Sequence, residues 1–173
     1  MSKLIGTNPG QVPTNADLGE LAYMNKESVI GTAFRITASS SVTYNDATWT
    51  DLGPAFDTVQ YDINGDWNTS TSRFDVKVAG VYIFNLAIHA GDNSLNRLIY
   101  SVSINGDYGA NRLLDIDQDG AGNLTDSQVY SLSSMYFLQP GDYVEPYVFA
   151  DTDGTWAFAN SQSHFSCCLL RGL

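Results

Sequence analysis

Residues 74–88, FDVKVAGVYIFNLAI, show the clearest pattern of hydrophobic and polar positions in the chain. Phe74, Val76 and Val78 alternate with Asp75 and Lys77, the period-2 signature of a strand with one dry face. Ala79-Gly80 interrupts the alternation, as glycine does where a strand bulges or turns. Val81-Tyr82-Ile83-Phe84 is then apolar on both faces, and Leu86 and Ile88 continue one of them. A strand without a wet face has to be covered twice, in a sandwich by the facing sheet and by a further layer or subunit.

The same alternation predicts strands from residue 33 to the end. They cover Ala33–Thr37, Val42–Tyr44, parts of Trp49–Gln60 around a Leu52-Gly53-Pro54 turn, Arg97–Ile104, Asn111–Ile116, Gln128–Leu138, Tyr143–Ala150, Thr155–Ala159 and His164–Leu170. Asn64-Gly65 and Asn105-Gly106 carry hairpin-turn chemistry, and Gln139-Pro140-Gly141-Asp142 fits a type II turn. Eight to ten short strands with closely spaced turns and no helical period predict an all-β sandwich of jelly-roll type.

Two further stretches are apolar on both faces, Met135-Tyr136-Phe137-Leu138 and His164 to Leu170, and Tyr143 to Phe149 alternates Tyr with Val. Several two-faced strands exceed what one small core covers, so a homo-oligomer is expected, its shared surface drawing on Met135, Phe137, Tyr143, Tyr147, Phe149, Cys168 and Leu170.

Residues 1–30 form a separate region. Two prolines, three glycines and few large apolar residues precede Met24, so this arm has no core of its own. Asp17 and Glu20 could cap one helical turn that presents Leu18, Leu21 and Tyr23 to a partner. The expected organisation is an arm, 1–30, and a jelly-roll domain, 31–173.

Charge narrows the partners. Nineteen acidic residues against eight Lys and Arg give −11, which argues against nucleic acid and against an anionic membrane surface. Adjacent Cys167 and Cys168 point to opposite strand faces and read as buried thiols. No secretory h-region opens the chain and no run is long enough for a membrane span, so cytoplasmic synthesis without membrane insertion is expected.

Asp115-Ile116-Asp117-Gln118-Asp119-Gly120-Ala121-Gly122-Asn123-Leu124-Thr125-Asp126 fits D-x-D-x-D-G with an acid at the twelfth position. A Ca2+ ion there would be held by Asp115, Asp117, Asp119, the Ala121 carbonyl and Asp126; an acidic hairpin loop is the alternative. Catalytic chemistry finds little footing. His89 and His164 lie on apolar strands, where structural roles are expected, and nucleophile-elbow, zinc-protease and phosphate-loop patterns are absent from the sequence.

Two resemblances add to this reading. Gly80, Tyr82 and Phe84, then Leu138, Gly141, Asp142 and Val144, then Phe165, Leu169 and Leu170 follow in the order and spacing of the C1q/TNF jelly-roll pattern. That resemblance implies a homotrimer with its terminal strands near the threefold axis, though no collagen-like stalk precedes the domain. The arm, LIGTNPGQVPTNADLGELAY, is similar to N-terminal segments of bacteriophage fibre proteins, through Gly6, Pro9, Gln11, Val12, Pro13, Asn15, Leu18, Gly19, Ala22 and Tyr23. It implies a virion protein, assembled in the host cytoplasm and anchored to other virion proteins through Pro9, Gln11, Val12, Pro13, Leu18, Leu21 and Tyr23.

Together these predict a non-enzymatic, trimeric short fibre or spike whose knob meets a glycan or protein of the host surface. A capsid decoration protein is the alternative within the virion, and a secreted C1q-like lectin the alternative outside it.

Overall fold

The computed structural model describes residues 31–90, 97–108, 112–119, 128–151, 154–157 and 162–172. Thr32–Leu173 forms one compact unit, and the whole of the expected arm, 1–30, lies outside the described residues.

Thirteen strands are present among the described residues. In chain order they are β1 (Ala33–Thr37), β2 (Ser41–Tyr44), β3 (Thr48–Asp51), β4 (Thr58–Asp62), β5 (Trp67–Asn68), β6 (Arg73–Asp75) and β7 (Gly80–Ala90). There follow β8 (Arg97–Ile104), β9 (Arg112–Asp119), β10 (Gln128–Leu138), β11 (Tyr143–Ala150), β12 (Gly154–Ala157) and β13 (His164–Gly172). The count exceeds the eight to ten expected because several strands have only two to four residues, too few for an alternating pattern to register. No helix among the described residues is long and apolar enough to cross a membrane.

Two antiparallel sheets face each other. The first has the order β10-β7-β13-β1-β4 and the second β5-β6-β11-β8-β9, with β3 also pairing β11 and a β12-β2 ribbon beside them. Chain-distant neighbours, β1 beside β13 and β7 beside both β10 and β13, make this a jelly-roll sandwich. Residues 74–88 do not form one strand. Phe74 belongs to β6 in the second sheet, and the chain crosses at Val76–Ala79 before β7 enters the first.

The local turn chemistry explains the corners. Asn105 and Gly106 both have positive φ, 57° and 70°, and the Asp107 N–H donates to the Ile104 carbonyl at 3.2 Å, a primed turn that closes β8. Gly141, at φ 98°, takes the left-handed position after Pro140, with the Asp142 N–H on the Gln139 carbonyl at 3.0 Å, the expected type II turn. Asp62 ends β4 by accepting from the N–H groups of Asp66 and Trp67 at 3.0 and 2.9 Å.

The core between the sheets is largely aromatic. Phe34, Tyr82, Phe84 and Phe165 of the first sheet and Phe74 and Tyr100 of the second are fully or almost fully buried. Phe165 lies 5.5 Å from Phe34, 5.9 Å from Trp67 and 6.1 Å from Phe84, in edge and stacked arrangements.

Candidate functional site

Each sheet has an outer face, and the two differ in chemistry. On the first, register sets rows of side chains that point away from the core. One row runs Met135, Ile83, Cys168 and Ala33 across β10, β7, β13 and β1. The next runs Ser133, Asn85, Ser166, Arg35 and Tyr61, ending on β4. Phe137 stands opposite Val81 above the first row. Met135 is 62% exposed, Leu170 55% and Phe137 42%, so one end of this face is an apolar band open to solvent. Below it a groove of about 290 Å³ is lined by Tyr61, Ile83, Asn85, Ser133, Ser166 and Cys168.

His164 borders the same face. Its ring nitrogens lie 3.1 Å from the Gln162 carbonyl and 3.0 Å from the Asn85 side-chain oxygen, the structural role expected of it. Burial, with the Arg35 charge, pushes its pKa below the ordinary histidine value. Cys167 is buried, Cys168 is half-buried, and both are free thiols.

The seven residues expected on a shared surface therefore divide between two faces. Met135, Phe137, Cys168 and Leu170 belong to the first sheet, and Tyr143, Tyr147 and Phe149 to β11 in the second. Tyr147 departs from the expectation of an exposed aromatic: only 8% exposed within one chain, it packs against Tyr108 at 4.7 Å and donates to Glu145 at 3.0 Å. Its ring is covered by the turn after β8, which strand alternation does not report. Ile83 and Val81, absent from the expected set, are half-buried and stand opposite the exposed Met135 and Phe137; their signal is the two-faced run Val81–Phe84.

The outer face of the second sheet is polar and partly closed. Tyr147 stands opposite Asp51 of β3 and Ser101 of β8, and Glu145 opposite Ser103. Trp49, 5.5 Å from Phe149 and 6.3 Å from Tyr108, continues the aromatic cover. The Asp51 carboxylate accepts the Gly53 N–H at 2.7 Å and so starts the Gly53–Ala55 3-10 turn.

Burial raises the Asp51 carboxyl to about 6, with the Glu145 charge adding and the Gly53 bond opposing. The folded chain thus holds this proton more tightly than the unfolded one. Its contribution is complete below pH 3.8 and lost as pH rises through about 6. In chelator-treated protein, melting at stepwise pH from 4 to 7 is expected to show about 2 kcal/mol of lost stability, which Asp51→Asn removes. Parallel wild-type and variant profiles would reject this assignment.

Three of the five residues expected to hold calcium, Asp115, Asp117 and Asp119, occupy alternate positions on β9, paired to β8 as far as Asp119. The strand expected to end at Ile116 thus runs on to Asp119. In an extended strand such positions stand about 6.6 Å apart along the chain. Ala121 and Asp126 lie outside the described residues, as do the seven arm residues from Pro9 to Tyr23. Among the described residues no group of three or more His, Cys, Asp or Glu converges as a metal cluster.

Comparison with known proteins agrees with this architecture. Among solved structures the chain is similar to the globular domain of zebrafish complement 1qA protein, at 20% identity and a TM-score of 0.56 over 83% of this chain and 99% of that one. It is similar to Eiger TNF from S. frugiperda at 18% identity and a TM-score of 0.54, over 83% and 94%. Murine APRIL matches at 9% identity with a TM-score of 0.62, over 81% and 99%. No curated protein matches the sequence. At these identities the structural likeness speaks for the fold alone. Family membership rests on the sequence: the C1q domain model matches residues 33–170, nearly all of the described unit. That match and the two-sheet jelly roll together place the chain in the C1q domain family, a family of non-enzymatic, typically trimeric binding modules.

Proposed function

We propose that this protein is a homotrimeric virion structural protein, a short fibre or spike whose jelly roll is displayed for attachment to a host surface. The observation that carries the trimer is the exposed apolar side chains of Met135, Phe137 and Leu170 on the first sheet, with half-buried Val81 and Ile83 beside them, next to the groove bordered by Cys168. Each large apolar side chain left in water forgoes about 1.5–3 kcal/mol that burial would return, and two further copies of the chain are the occupants the family's habit favours. A closed ring of three leaves no copy with an unpaired contact surface, whereas an open array leaves one at each end.

Support for the virion placement comes from the arm. Residues 4–23 share a dense set of positions with phage fibre N-termini, and such an arm anchors while the knob faces outward. The acidic surface fits a partner that is neither nucleic acid nor an anionic membrane.

Two measurements test this. Sedimentation of the full chain is expected to give three copies of the 18.8 kDa protomer, and a monomer would reject the assembly. In a map of the intact particle, threefold knobs rooted in the tail or portal by residues 1–30 are expected. Knobs rooted in the major capsid protein would favour capsid decoration, and a secreted protein carrying a glycan at Asn68 would overturn the virion reading.

A further inference from the structure

The second sheet's outer face holds an unresolved balance of polar groups. Ser101 and Ser103 of β8 are fully buried, and neither hydroxyl has a hydrogen-bond partner. Buried hydroxyls are nearly always bonded, so two orphans at alternate positions on one strand point to something that completes them. Register places Glu145 opposite Ser103, and Tyr147 opposite Ser101.

Glu145 is 8% exposed, and its one hydrogen bond among the described residues comes from the Tyr147 hydroxyl, which brings no charge. The ion pairs among the described residues, Arg73 with Asp75 and Lys77 with Asp66, leave both Glu145 and Asp51 aside. On β9, Asp115 takes the position opposite Ser101 and Arg112 the position opposite Ser103. Glu145 and Asp51 are thus two acids without an ion-pair partner among the described residues.

The turn after β8 closes this place from above. A Cβ built on Gly106 would stand 3.9 Å from a Glu145 carboxylate oxygen, and the Tyr108 ring rests on Tyr147. Enclosure, oxygen donors only, and these two acids describe a hard-cation site.

We propose that the outer face of the β3-β11-β8 sheet binds one hard divalent cation, calcium by its donor set, through the Glu145 carboxylate and the Ser101 and Ser103 hydroxyls, with Asp51 as the second carboxylate. The ion completes the two orphan hydroxyls and offsets the buried acid pair. This site is separate from the twelve-residue pattern at 115–126, and it lies on the sheet opposite the proposed trimer face, so it stands or falls independently of that assembly.

Terbium is the direct probe, because Trp49, Tyr108 and Tyr147 beside the site would sensitise its emission. With the full chain stripped by chelator, terbium is expected to give sensitised emission that calcium displaces, and calcium is expected to raise the melting temperature. Glu145→Gln and Ser103→Ala should each weaken terbium binding roughly tenfold or more, equivalent to about 1.4 kcal/mol, while Asp126→Asn leaves it unchanged.

Three results would overturn the proposal. The first is a wild type that calcium does not stabilise, together with a Ser103→Ala variant that melts higher than wild type in chelator: the orphan hydroxyl then has no ligand to lose. The second is binding that survives Glu145→Gln and disappears in Asp126→Asn, which moves the ion to the 115–126 segment. The third is absence of any calcium response with a lowered melting temperature in Arg112→Gln, which makes the arginine the group that offsets the acids.

Discussion

Met135→Asp is expected to convert the proposed trimer into monomers at micromolar concentration without unfolding the protomer. Met135 is 62% exposed on the isolated chain, so the aspartate costs the monomer little. In the assembly it would sit in a row with Ile83 and Cys168, where a carboxylate loses its water among apolar neighbours. Removing an ion from water without a partner costs several kcal/mol, and threefold symmetry imposes that cost at every copy. Dissociation constants should therefore rise by several powers of ten, since each tenfold step needs only about 1.4 kcal/mol. Sedimentation against concentration measures this, with Ser70→Asp, an exposed loop change, as the control. A Met135→Asp protein that remains trimeric would show that the contact surface lies elsewhere on the molecule.

Phe165→Ala is expected to destabilise the protomer itself by about 3–5 kcal/mol, enough to unfold many domains of this size. The ring is fully buried at the middle of the aromatic cluster, touching Phe34, Phe84 and Trp67, which come from β1, β7 and β5 of both sheets. Its removal leaves a cavity walled by rigid rings, which close in poorly. Urea melting of Phe165→Ala and Phe165→Leu separates lost volume from lost ring geometry: leucine should recover more than half of the loss. An alanine variant within 1 kcal/mol of wild type would mean the cluster is not the keystone of the core (about 1 kcal/mol being the centre of ordinary substitutions).

How much of this was legible in the sequence follows from the range of each signal. Gly141 and the Asn105-Gly106 pair announce their turns because positive φ is a local demand, met by the residue itself. The alternation of Tyr82, Phe84, Leu86 and Ile88 announces a core face for the same reason. Apolar residues on the opposite parity, Val81 and Ile83, signal a second apolar surface, and both stand half-buried on the outer face of the first sheet.

Signals failed where a cover comes from far along the chain. Tyr147 looked like an interface aromatic because its own strand gives no hint that Tyr108 lies over it. Asp117 and Asp119 fall beyond the expected end of the strand at Ile116 because aspartate favours turns, yet D-x-D-x-D is equally a period-2 strand, and pairing with β8 decides for the strand. The acid pair is the extreme case. Asp51 and Glu145 stand 94 positions apart, joined through β11 by the register with β3, so no window of sequence holds both.

The central place of β13 in the first sheet bears on how the molecule is made. Of the thirteen described strands this one is synthesised after all the others, yet its hydrogen bonds link β7 to β1. Until residues 164–172 emerge from the exit tunnel, both neighbours present unsatisfied edges, each a template for pairing with another nascent chain. Truncation before His164 should therefore yield inclusion bodies rather than a shortened soluble domain.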